Sequence, residues 1–145
     1  HVTIKFEPII SQDEINFLDT TVYIDKTDFT LHTKLYRKPT YRVQYLEYQS
    51  NHPKHVKKAI PYSQALRYRR IIDDEEILRT ELDTLKTYFQ YINYNDAIID
   101  KEIEKVYTVD RNARLIYKTK EQKREDWIKF TGNGAFLPLI ITYDR

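Results

Sequence analysis

The hydrophobic periodicity of this chain changes once, near Pro39, from the two-residue repeat of strands to the longer repeat of helices. Before that point, residues 2–7 alternate apolar and polar, while residues 15–25 and 29–37 are rich in β-branched and aromatic side chains. Both patterns are typical of half-buried strands. The segment Asp25–Asp28 has an aspartate at each end, and aspartate side chains bond the local backbone in turns. The first third of the chain therefore predicts a strand followed by a β-hairpin.

Downstream of Pro39, prolines and capping residues divide the chain into helices. Proline is tolerated in the first turn of a helix but breaks its interior, so Pro53 and Pro61 each predict the start of a short helix. Asp73 or Asp74 is suited to cap one longer helix and Asn95 another, and the apolar residues of both helices recur at helical spacing. Helices are expected at residues 53–59, 62–72, 75–91, 96–106 and 120–129, with a final strand at 137–143.

This order of elements predicts an α+β fold, with an N-terminal β-hairpin and strand, a helical bundle and a C-terminal strand. A chain of 145 residues is the size of one domain, so we expect residues 1–40 and 41–145 to be two regions of one compact unit. The chain starts at His1 rather than at methionine, and we expect a fragment of a larger protein. No apolar run approaches the length of a bilayer span, so no membrane partner is expected.

Charges of opposite sign are separated along the chain, although the net charge is only +2. Between His32 and Arg70 there are ten Lys and Arg against one acid, whereas residues 73–106 hold ten acids against four Lys and Arg. A cationic stretch of this kind is typical of surfaces that bind polyanions. The alternative is a solvated basic face around tyrosines of the core.

Cations and tyrosines are interleaved within this basic stretch. Lys54, Lys57 and Lys58 share one face of a predicted helix, and Arg67 and Arg70 share a face of the next. Phosphates are the ligand that such cations favour, and tyrosine rings stack on bases or sugars. The tyrosines are Tyr36, Tyr41, Tyr45, Tyr48, Tyr62 and Tyr68.

The residues reveal no catalytic centre, metal site or cofactor site. The chain has no cysteine and only two glycines, which excludes thiolate chemistry and a glycine-rich phosphate loop. Asp73–Glu76 have the chemistry of a metal-binding carboxylate cluster, but they precede an apolar helical repeat, where capping acids belong. His52 and His55 have no third metal ligand nearby, so we expect a helix cap and a phosphate contact.

Five blocks follow one another in the first half of the chain: Phe17–Val22, Leu35–Thr40, Tyr45–Leu46, Ser50–His55 and Ile60–Arg67. In this order they resemble the region after the polymerase motifs of Penelope-like retroelement reverse transcriptases. The similarity extends to about Ile71, and the later segments are similar in style. Where that family tends to have Arg-Gly-Tyr between two helices, this chain has Tyr91–Tyr94.

The resemblance implies the palm-edge and thumb part of an RNA-directed DNA polymerase, located in the nucleus. The upstream palm and fingers of the parent protein would hold the Mg²⁺-binding carboxylates, so this piece would be inactive alone and would need no cofactor itself. Phe17, Leu18 and Asp19 would support the primer end, and the helices would grip the duplex of RNA template and DNA primer. Contacts to the strand backbones are expected from Tyr36, Arg37, Lys38, His52, Lys54, His55, Lys57, Lys58, Arg67 and Arg70.

Two other functions fit the same residues. The two helices around Pro61 have the outline of a helix-turn-helix, so an independent DNA-binding module of a mobile element would place residues 62–72 in a major groove. A capsid-like or protein-interaction module would leave the basic stretch without a ligand, and a salt titration separates that function from the other two. The candidates for reading bases are Ser63, Gln64, Arg67 and Tyr68.

Overall fold

The structure is a computed structural model that describes residues 7–131, with side chains up to residue 129. The chain forms two compact units, His1–Arg114 and Leu115–Arg145. Residues 2–6 of the first predicted strand, and all of the predicted strand 137–143, lie outside the described residues. Those two strands and the boundary at residue 40 stay predictions.

Three strands form an antiparallel sheet at the start of the first unit. They are β1 (Glu14–Phe17), β2 (Thr20–Ile24) and β3 (Leu31–Leu35), in the spatial order β1-β2-β3. A sheet followed by helices confirms the predicted α+β class, and the β2-β3 pair confirms the predicted hairpin.

The prediction of a single strand over residues 15–25 was wrong, because the chain reverses within it. Phe17 pairs with Thr20 across a two-residue turn formed by Leu18 and Asp19. Leu18 has φ 57°, a left-handed conformation that disfavours residues with a Cβ atom. Leucine is not a usual turn former at a position with positive φ, and a single aspartate within a run rich in β-branched and aromatic residues was too weak a signal for the turn.

In the described part of the chain five helices follow the sheet, and three of them confirm the predictions to within two residues. The longest one does not, since Pro61 lies inside a continuous helix instead of breaking it. The bounds are α1 (Lys54–Ile71), α2 (Glu75–Tyr91), α3 (Asp96–Tyr107), α4 (Arg111–Leu115) and α5 (Lys120–Thr131).

Packing explains why α1 continues through Pro61. A proline inside a helix costs about 3 kcal/mol, since it removes a hydrogen bond and crowds the preceding turn. The Pro61 ring is buried on the same face of α1 as Ala65 and Tyr68, so the burial of apolar surface offsets that cost. The breaks between helices fall instead at residues 72–74 and 92–95.

The ends of the first three helices differ in how they are capped. Asp74 Oδ1 accepts hydrogen bonds from the backbone N–H groups of Glu76 and Ile77, both at 2.8 Å, and Asn95 Oδ1 accepts one from Ala97 N at 2.9 Å. Those two caps confirm the predictions. The cap of α1 is Pro53, which makes no side-chain bond, so the predicted cap at Asn51 or His52 was wrong.

The core of the first unit is built from one face of each of α1, α2 and α3. Strand β3 is attached to the end of α1, because Thr33 Oγ1 donates to Ile71 O at 2.6 Å and Thr33 N donates to Asp73 Oδ1 at 3.1 Å. The fully buried side chains include Tyr68, Ile72, Leu78, Leu82, Leu85, Phe89, Ile99 and Val106. In the second unit, every described side chain of α5 is exposed.

Candidate nucleic-acid interface

Positive charge in the first unit is concentrated on α1. This helix carries six Lys and Arg and no acid, whereas α2 and α3 each carry four acids and two Lys or Arg. The exposed cations of α1 are Lys54, Lys58, Arg67 and Arg70, and they lie on more than one side of the helix, since Lys54 is spaced seven residues from the buried Pro61.

Arg37 is bound within the protein. Its Nη1 donates to Glu81 Oε1 at 3.1 Å, and its Nη2 donates to the other oxygen of that carboxylate and to the Tyr68 hydroxyl at 3.3 Å. The hydrogen bonds to Glu81 raise the pKa of the Arg37 guanidinium above its ordinary value. Only 24% of the Arg37 side chain is exposed, so the residue links the chain after β3 to α2.

Arg67 is also paired, with the turn between β1 and β2. Its Nε donates to Asp19 Oδ2 at 2.9 Å, and its Nη2 donates to the same oxygen. The hydrogen bond from Arg67 holds the pKa of Asp19 below its ordinary value of 3.8. The pair remains accessible, with 48% of the Arg67 side chain and 39% of the Asp19 side chain exposed.

Lys57 is buried, unlike the neighbouring lysines. Its Nζ donates to the carbonyl oxygens of Tyr48 and Ser50, both at 2.7 Å, and lies 5.2 Å from the centre of the Tyr48 ring. This lysine therefore fixes the loop that leads into α1. The charged group of Lys57 therefore binds the protein's own backbone.

Five of the predicted contact residues are exposed and, in the part of the chain that the structure describes, take part in no ion pair or side-chain hydrogen bond. Three of them lie in the first two turns of α1, one lies near its end, and one follows β3. They are Lys54, His55, Lys58, Arg70 and Lys38. We call these five residues the free cations, with His55 counted for its protonated form.

The remaining two predicted contacts are His52 and Tyr36, and Arg42 is a further cation of the basic stretch. His52 is exposed and its Nδ1 lies 3.3 Å from Ser50 Oγ, while Tyr36 is half-buried. Arg42 is exposed and has no ion pair among the described residues, although the sequence analysis did not select it. Its place in the basic stretch was the only available signal.

The tyrosines of the basic stretch fall into two groups. Tyr45 stacks on Phe89, with ring centres 5.0 Å apart, and Tyr48 packs at 5.0 Å against Tyr94. Tyr68 is buried as well. Burial raises the pKa of the Tyr45 hydroxyl. These three are therefore tyrosines that pack in or against the core. Tyr41 is 42% exposed and remains accessible to a ligand.

The four candidates for reading bases do not form one exposed surface. Tyr68 is buried in the core, Gln64 is half-buried, and Arg67 is held by Asp19. Ser63 is exposed. Of the predicted primer-supporting residues, Phe17 and Leu18 are more than 70% exposed and stand beside the Asp19 pair.

Acidic groups of the first unit are mostly occupied by neighbours. Asp73 lies 3.2 Å from His32 Nδ1 and Asp74 caps α2. Asp25, Asp28 and His32 bring possible ligand atoms within 4.8 Å of one another. Both aspartates already accept hydrogen bonds from threonines of the same turn, which explains the turn without an ion.

Residues 44–104 match a protein-family model described as the animal helix-turn-helix domain. The match covers less than half of the chain and includes α1, α2 and most of α3, so this segment is helix-turn-helix-like. No curated protein and no solved structure matches the chain, and the resemblance to reverse transcriptases gains no support from these comparisons. Within residues 7–131, none of the helices has the length and apolarity that crossing a bilayer requires.

Proposed function

We propose that residues 44–104 form a helix-turn-helix module that binds the phosphate backbone of nucleic acid through α1. The observation that carries this proposal is the charge distribution. The helix with no acid presents exposed cations at both ends, and the other two helices of the module are net negative. Lys54, His55 and Lys58 bind at one end and Arg70 at the other.

The spacing of these cations selects a polymeric ligand. Lys54 and Arg70 are sixteen positions apart, which corresponds to about 24 Å along a helix axis and about 160° around it, so a ligand that contacts both must pass around α1. A mononucleotide cannot reach both ends. A nucleic acid strand covers that distance with roughly seven nucleotides, at about 3.4 Å per charge on each strand.

Electrostatics also sets the orientation of the module. In helix-turn-helix proteins the second helix of the motif enters the major groove with its N-terminal residues. Here α2 begins with Glu75 and Glu76, and α3 begins with Asp96, so either helix would bring carboxylates against phosphates. The module therefore binds with α1 and shows little sequence preference.

A salt titration of duplex binding tests this proposal. In a fluorescence anisotropy assay, the triple variant Lys54→Ala, Lys58→Ala, Arg70→Ala should bind a labelled duplex at least about tenfold more weakly. It should also lower the slope of log affinity against log salt by about 3, since each lost phosphate contact removes about 0.9.

The matched control removes three exposed cations that lie off α1, namely Lys26, Arg79 and Lys101. This variant has the same net charge as the α1 variant and should keep the wild-type slope. Equal losses in both variants would show a general charge effect, and the assignment of the interface to α1 would be lost.

A second candidate is the thumb and palm edge of a reverse transcriptase, working in the nucleus on an RNA template and a DNA primer. The Asp19–Arg67 pair supports it, because this contact places the exposed Phe17 and Leu18 beside the cationic helix. The upstream palm and fingers, with Mg²⁺, would supply the chemistry. In this case Phe17→Ala should weaken binding to a hybrid with a recessed primer end, but not to a blunt hybrid. Equal effects on both hybrids would contradict it.

A further inference from the structure

We propose that the Asp19 carboxylate competes with nucleic acid phosphate for Arg67, so that it limits the affinity of α1 for its ligand. This inference rests on the proposed function and adds a regulatory contact to it. The contact joins the β1-β2 turn to the C-terminal part of the cationic helix, across 48 positions of the sequence.

The geometry of the pair makes the two anions alternatives. Arg67 uses Nε and Nη2, one edge of its guanidinium, to bind a single carboxylate oxygen. The same planar fork binds phosphate oxygens with two parallel hydrogen bonds. A phosphate that takes this edge must displace the carboxylate.

The position of Arg67 brings it next to the proposed ligand. Arg70 lies three residues further on α1, and residues three apart are neighbours on a helix surface. A strand that contacts Arg70 therefore passes beside Arg67. Because 39% of the Asp19 side chain is exposed, its negative charge faces the same solvent, and it repels a phosphate there.

A carboxylate that only positioned the guanidinium would be expected behind it, shielded from the ligand. Asp19 instead lies at the exposed tip of a turn, between Leu18 at 74% exposure and β2. The turn does not depend on this side chain, since the backbone oxygen of Asp19 accepts a hydrogen bond from Tyr36 N at 2.9 Å. Replacing the carboxylate therefore leaves the turn attached to the chain after β3.

Duplex binding by four variants of the full chain tests the proposal. Asp19→Asn should bind a labelled duplex about two- to fivefold more tightly than wild type, as expected for the release of an exposed ion pair. In the Arg67→Gln background the same substitution should change nothing, because the guanidinium is gone. The control is Asp100→Asn, which adds the same charge by opening the 2.6 Å pair with Lys86, and it should change affinity less.

Each result decides between the possibilities. If Asp19→Asn binds more tightly than wild type, and has no such effect in the Arg67→Gln background, the competition is supported. It is also supported if Asp19→Asn binds duplex and the wild type does not. Unchanged or weaker binding by Asp19→Asn overturns the competition but leaves the proposed function standing if the wild type binds. If neither protein binds duplex in dilute buffer, both proposals fail.

Discussion

Two adjacent lysines of α1 have different environments and should have different roles. Lys57 is 8% exposed and bonds two backbone carbonyls, whereas Lys58 is exposed and has no such partner among the described residues. Lys57→Ala should lower the free energy of unfolding by about 1–3 kcal/mol, because it leaves buried acceptors unpaired. Urea denaturation measures this change.

Lys58→Ala provides the matched control for that experiment. Its free energy of unfolding should stay within about 0.5 kcal/mol of wild type, while its affinity for duplex should fall. If Lys58→Ala destabilised the protein as much as Lys57→Ala, the distinction between a structural and a ligand-binding lysine would be wrong.

The acid titration of Asp19 reports on its pair with Arg67. The pKa of Asp19 is depressed in the folded protein, so its stabilising contribution is present above the ordinary value of 3.8 and is lost as pH falls through the lower, folded-state pKa. Arg67→Gln should raise the pKa of Asp19 back toward 3.8. Carbon chemical shifts of the carboxyl group, followed by NMR, measure the midpoint, and an unchanged midpoint would contradict the pairing.

For single residues, the sequence showed which side chains are cationic, but not which of them pair with a distant acid. Arg37 finds Glu81 at a separation of 44 positions, and Arg67 finds Asp19 at 48. Spacing along a helix carries no information about partners so distant. Lys54 and Arg70 are exposed, but local periodicity does not explain their exposure, since Lys57 was expected on the same helix face as Lys54 and Lys58 and is buried.

Among the elements, α2 is the one whose start depends most clearly on a single side chain. Asp74 accepts two backbone N–H groups of its first turn, and losing such a cap costs about 1 kcal/mol. Asp74→Ala should lower the free energy of unfolding by that amount in urea denaturation. Asp83→Ala, at an exposed position inside the same helix, should have less than half the effect, and equal effects would contradict the capping role.

Local signals predicted α2 and α3 well, since each helix has a capping residue followed by an apolar repeat. The same signals failed at Pro61, because the burial that offsets the proline is a tertiary effect. The turn between α2 and α3 shows a third case. Asn93 there has φ 65°, and asparagine adopts the left-handed conformation more readily than most residues with a Cβ atom.

For the molecule as a whole, the division near Arg114 predicts where proteases cut first. Among residues 7–129, the buried apolar side chains lie between residues 61 and 106, and residues 116–119 are exposed and outside any helix. Exposed, irregular segments are preferred sites of cleavage. Limited trypsin digestion should cut first after Lys118, as read by mass spectrometry, and first cuts inside α1–α3 would contradict the two-unit organisation.

The fold class followed from one change in periodicity, and a weaker signal marked the second unit. The described part of that unit contains α5, in which residues 120–129 have no buried side chain and seven of the twelve residues are charged. Charge segregation, in contrast, was visible in the sequence because it follows the chain. Folding kept it, since the basic and acidic stretches became separate helices.

That segregation gives the first unit an electric dipole, positive toward α1. An approaching polyanion exerts a torque on such a body and turns it before contact, which increases the fraction of collisions that are productive. Added salt weakens that long-range field, so stopped-flow measurements should find that ionic strength slows encounter.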